Sequence, residues 1–79
     1  MKIFISNLGH QVTEDSLAIV FGTFGRVNQS RFLIQGPAHS RIALIEMPDE
    51  NEASLAISRL NGSFINGTVI RAHMLGEDN

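Results

Sequence analysis

The stretch Ser40–Met47, SRIALIEM, limits this chain more than any other segment. Extended, it alternates side chains between two faces with a period of two. Ala43, Ile45 and Met47 fall in one row; Ile42, Leu44 and Glu46 fall in the other. Both rows are largely apolar. That pattern fits a central strand, with a core on one side and a second apolar contact on the other.

The segments around it supply partners. Lys2-Ile3-Phe4-Ile5-Ser6 reads as a strand, with Ile3 and Ile5 on one face and Phe4 and Ser6 on the other. Asn7-Leu8-Gly9 is turn chemistry. Thr13 is a good helix N-cap, and Glu14 and Asp15 follow where the helix dipole favours negative charge. Ser16 stands where a capping box takes Glu or Gln, so the box is expected to be incomplete. Leu17, Val20, Phe21 and Phe24 recur at helical spacing. Gly25 is expected to stop this helix in a left-handed conformation. Gly22 within it costs roughly 1 kcal/mol against alanine.

Val27–Ile34 reads as a second strand, with Phe32 and Ile34 on one face and Arg31 and Leu33 on the other. Gln35–His39 forms a short loop into the central strand, which Pro48 ends. Asp49 caps a second helix, and Glu52 makes a capping-box pair with it. Ala53, Ala56, Ile57 and Leu60 carry its stripe, and Asn61-Gly62 ends it. Asn66-Gly67 signals a tight turn between Phe64-Ile65 and a last strand, Val69–Leu75. In that strand Ile70, Ala72 and Met74 share one face; Val69, Arg71 and His73 share the other.

The order β-α-β-β-α-β is the ferredoxin-like pattern of the α+β class. Two amphipathic helices must bury their stripes, which puts both on one face of a four-stranded antiparallel sheet. The other face stays open. The strand assignments display Phe4, Ser6, Arg31, Leu33, Ile42, Leu44, Glu46, Arg71 and His73 there, with Lys2, Arg31, Arg41 and Arg71 as a basic rim. An apolar patch with a polar rim marks a binding surface. Bases lie on such surfaces when a ring is present and cations hold the phosphates. A half-buried aromatic that only stiffens the sheet is the plainer reading of Phe4.

The totals narrow the alternatives. Seventy-nine residues make one small domain with one core, residues 1–75, followed by a tail at 76–79. There is no cysteine, hence no disulfide and no thiolate metal site. His10, His39 and His73 lie in separate elements without metal-ligand spacing, and no cofactor is expected. No apolar run reaches membrane-spanning length, and the apolar start is too short for a signal peptide, so a cytoplasmic protein is expected. No nucleophile has a base at hand, no carboxylates pair in a cleft, and no glycine loop cradles phosphate, so an enzyme is not expected. The net charge of −2 weighs mildly against strong nucleic-acid binding.

From Lys2 to about Leu75 the chain resembles the RNA recognition motif family. Ile3-Phe4-Ile5-Ser6-Asn7-Leu8 resembles the family's first-strand hexamer. Ser40–Met47 aligns with its third-strand octamer, K/R-G-F/Y-G/A-F-V-x-F/Y. Val12–Leu17 and Phe21–Gly25 are similar to its first helix. Ala56–Gly62 with Ile65-Asn66-Gly67 is similar to its second helix and the entry to its last strand. The resemblance implies single-stranded RNA as the ligand, with single-stranded DNA as a relative of it. It also implies stacking aromatics at the second hexamer position and the third and fifth octamer positions. Phe4 keeps the first; Ile42 and Leu44 replace the others. With stacking worth about 1–3 kcal/mol per base, two lost rings imply weak binding. The acidic balance and the Ile42/Leu44 pair leave open a second use of the same face, as a contact for a protein partner or a second copy.

Overall fold

The computed structural model describes residues 1–9, 11–36, 41–65 and 67–76. His10, residues 37–40, Asn66 and residues 77–79 lie outside the described residues, and so do the readings that rest on them; Gly76, expected to open the tail, instead ends the last strand.

The elements run β1 (Lys2–Ser6), α1 (Glu14–Gly22), β2 (Gln29–Gln35), β3 (Arg41–Glu46), α2 (Glu50–Leu60), a two-residue hairpin β4 (Phe64–Ile65) and β5 (Thr68–Val69), and β6 (Arg71–Gly76). The four longer strands form one antiparallel sheet in the order β2-β3-β1-β6. The expected ferredoxin-like arrangement is therefore present, with β3 at an inner position.

Alternation decides the two faces. Ile3, Ile5, Ala43, Ile45 and Ala72 pack with Leu17 and Phe21 of α1 and with Ala53, Ala56 and Leu60 of α2 in one buried cluster. Val20 and Ile57 complete the two helical stripes at its margin, and Phe24, just past the end of α1, packs there too. Ile70, between the hairpin and β6, is buried with them, and its backbone exchanges hydrogen bonds with Ser63 O and Gly62 N at 2.9 and 2.8 Å. Gly62 and Gly67 take φ of +84° and +89°, the turn conformations that Asn61-Gly62 and Asn66-Gly67 predict.

Three local expectations are corrected. The α1 capping box is complete: Ser16 N donates to Thr13 Oγ1 at 3.0 Å, and Thr13 N donates to Ser16 Oγ at 2.9 Å. A serine hydroxyl accepts the N-cap N–H as a carboxylate would. The α2 box is half made. Glu52 N donates to Asp49 Oδ1 at 2.9 Å, but the Glu52 carboxylate accepts from Arg26 N instead, at 3.1 Å. Helix α1 ends at Gly22 with Thr23 as C-cap, and Gly25 has no positive φ. Its role is close approach: a Cβ there would overlap the Glu52 side chain, lying 2.6 Å from its Cβ.

The outermost strands are tied to neighbouring elements. Phe32 N on β2 donates to Glu14 Oε2, and Ser30 Oγ donates to Glu14 O, both at 2.8 Å. On β6, Ala72 N donates to Asn61 Oδ1 at 3.0 Å. Asn7, at φ 62°, donates from Nδ2 to Val69 O at 2.7 Å, fixing the end of β1 to the hairpin.

Candidate functional site

The face away from the helices is assembled by register. Phe4 lies opposite Leu44 on β3 and His73 on β6, and Leu44 lies opposite Arg31 on β2. Directly opposed residues share a face. The sheet therefore carries a transverse row, Arg31–Leu44–Phe4–His73. On one side of it runs a second row, Gln29–Glu46–Lys2. On the other side, Ile34 opposes Ile42 and Ser6 opposes Arg71.

The rings of Phe4 and His73 meet at 5.9 Å between centroids with planes 76° apart. A planar group stacked parallel to Phe4 therefore lies steeply inclined to the His73 ring, not parallel to it. Phe4 is half-buried and His73 exposed. Leu44 is only 5% exposed, yet it stands apart from the cluster under the helices. The side chains beside it on the open face bury it, so it is the floor of the patch. Ile42 is half-buried.

Two sequence assignments change here. Arg41 does not join the basic rim. It shares a row with Ala43 and Ile45, on the helix side. Its guanidinium donates to Gly9 O and, at 2.9 Å, to Val12 O, and sits 4.2 Å from the Phe32 ring centroid. Arg41 is an internal clamp on the β1–α1 loop. The second change comes from a break in the β2–β3 ladder: Phe32 opposes Ala43, but Ile34 opposes Ile42. Leu33 is the extra residue of a bulge. Phe32 therefore packs on the core while Ile34 joins the open face, 48% exposed, beside Leu33 at 42%.

Lys2, Phe4, Ser6, Arg31, Ile42, Leu44, Glu46, Arg71 and His73 are brought together as expected. Gln29 and Ile34 were missed. Gln29 lies in the expected second strand, and counting back two from Arg31 finds it; Ile34 left no such signal. Leu75 is a second bulged residue, since Lys2 opposes Gly76 while Ile3 opposes Met74.

Charge is divided between the two sides. Among the described residues, Lys2, Arg31 and Arg71 stand on the open face with Glu46 as its acid. Glu14, Asp15, Asp49, Glu50 and Glu52 belong to the helices and their caps, against Arg26 and Arg59. The net charge of −2 therefore hides an uneven distribution in which the described residues of the open face are mostly cationic. Among the described residues no group of His, Cys, Asp or Glu side chains suits a metal ion, and no helix is long and apolar enough to cross a membrane.

The family model for the RNA recognition motif matches residues 3–71. The chain is 31% identical over 71 residues to "Organelle RRM domain-containing protein 6, chloroplastic" of Arabidopsis thaliana, covering 87% of this chain and 39% of that protein. A relative from Nostoc sp. is 32% identical over 69 residues, covering 80% of this chain and 64% of its own length. The chain thus spans less than two thirds of these curated relatives. Among solved structures, the crystal structure of RNA Binding Protein PG1 superposes with a TM-score of 0.84 at 26% identity, covering 100% of this chain and 99% of that one. The first two RRM domains of yeast Poly(U) Binding Protein share the fold, with a TM-score of 0.87 at 22% identity over 100% of this chain and 48% of that one.

Proposed function

The chain belongs to the RNA recognition motif family, a family of recognition domains and not of enzymes, and on that premise we propose that it binds single-stranded RNA across the open face of its sheet. The observation that carries the reading is Phe4: a half-buried ring at the centre of a face where, among the described residues, the cations Lys2, Arg31 and Arg71 outnumber the carboxylate of Glu46. A base stacks on Phe4, Ile42 and the covered Leu44 give it an aliphatic floor, and Arg31 and Arg71 take phosphates at opposite edges. His73, beside Phe4 and steeply inclined to it, meets the base or its sugar. Binding is weak, because one ring does the stacking that three do in the family pattern.

Fluorescence anisotropy with short single-stranded RNA pools at low salt tests this. Phe4→Ala is expected to weaken binding by roughly 5- to 150-fold, the equivalent of one stacked base at about 1–3 kcal/mol. Binding only above millimolar, or unchanged by Phe4→Ala, overturns the proposal. A parallel series with single-stranded DNA measures how far the 2′-hydroxyl contributes.

A second reading is favoured by the bulge. It adds Ile34 to Ile42 on the open face, with Leu33 exposed beside them, and makes an aliphatic strip along the β2 side. That strip suits a protein partner or a second copy. Sedimentation over a concentration series, with Ile34→Glu as the variant, distinguishes it: a monomer at every concentration removes self-association.

A further inference from the structure

Among the described residues, Glu46 is the one acidic side chain on a face otherwise suited to phosphate. Its carboxylate makes no hydrogen bond or ion pair with any described residue, and it is half-buried between Gln29 and Lys2 in the row next to Phe4. A carboxylate placed so repels phosphate, and its attraction is for hydrogen-bond donors. Phe4 opposes Leu44, and Lys2 opposes Glu46, so Glu46 is the diagonal neighbour of Phe4. Diagonal neighbours across an antiparallel pair lie about 7–8 Å apart, within reach of a long side chain. A purine stacked on Phe4 with its Watson–Crick edge toward this row brings that edge to the carboxylate.

The four bases differ sharply in what they offer there. Guanine presents two adjacent donors, N1–H and the N2 amino group, which match the two oxygens of a carboxylate. Adenine and cytosine each pair one amino donor with a ring-nitrogen acceptor that faces the second oxygen unfavourably. Uracil has one N–H flanked by two carbonyls. From this arrangement we propose that Glu46 selects guanine for the base stacked on Phe4. The inference rests on the RNA-binding reading above and adds a specificity to that same site.

Uridine hexamers carrying a single guanine, adenine, cytosine or inosine test it by anisotropy. The guanine hexamer binds the unaltered protein at least about 10-fold more tightly than the all-uridine one, in the range of a good two-bond base contact. Inosine, which lacks the 2-amino group, loses most of that gain. Glu46→Gln removes the guanine preference while all-uridine binding holds or tightens, because a repelling charge is gone. The inosine comparison needs no variant, so a folding defect in Glu46→Gln does not blunt the test. RNA binding without guanine preference overturns this inference and leaves the general reading standing, as does a Glu46→Gln loss that is equal for every hexamer. No binding to any hexamer overturns both.

Discussion

Arg41 carries a positive charge at the start of an inner strand, and what it does there is structural. Its guanidinium donates to two carbonyls of the β1–α1 loop and covers the Phe32 ring. Arg41→Ala leaves both carbonyls without a charged donor. Such hydrogen bonds contribute about 1.5–3 kcal/mol, and partial exposure puts the expected loss near the lower end, about 1.5–2 kcal/mol in urea denaturation. RNA affinity, where Phe4→Ala acts strongly, is expected to stay nearly unchanged. The row of Arg41 was legible, since alternation through SRIALIEM sets it with Ala43 and Ile45. Its charge, read alone, pointed to the rim. A long stem that packs while its head finds carbonyls reconciles the two. Phe4, Ile42, Leu44 and Arg71 were legible by the same alternation. The burial of Leu44 was not, because it depends on which side chains flank it across two strand pairs.

Helices and strands were mostly readable because their periodicities differ and each stripe had to be covered. What alternation does not reveal is an inserted residue. The bulge at Leu33 splits Phe32 from Ile34 and moves an isoleucine from the expected core face to the open one. Composition carries no mark of it, because all three residues are apolar. The same limit hid how the helices meet. Gly25 looked like a stop signal, yet the space beside it is filled by Glu52, whose carboxylate holds Arg26 N. Gly25→Ala forces the α1–β2 connection away from the start of α2. Overpacking of this kind costs about 1–3 kcal/mol, expected as a lower urea midpoint with an unchanged slope.

For the molecule as a whole, the division of charge is the property that the net value hides. Among the described residues the acids gather on the helix side and the cations on the open face, so under the RNA-binding proposal an approaching strand is oriented before contact. Each phosphate neutralised on a single strand contributes about −0.7 to the slope of log affinity against log salt. With Arg31 and Arg71 both engaged, a slope near −1.4 or steeper is expected, and Arg71→Ala makes it shallower by about 0.7. An unchanged slope in that variant removes Arg71 from the phosphate contacts. The outer strands have a consequence at this scale too. A sheet of four strands has two flanks, each a template on which an unfolded or identical chain can lay down another strand. Glu14 occupies a donor of β2 and Asn61 one of β6. Side-by-side growth toward fibrils is obstructed at both flanks, whatever the open face itself contacts.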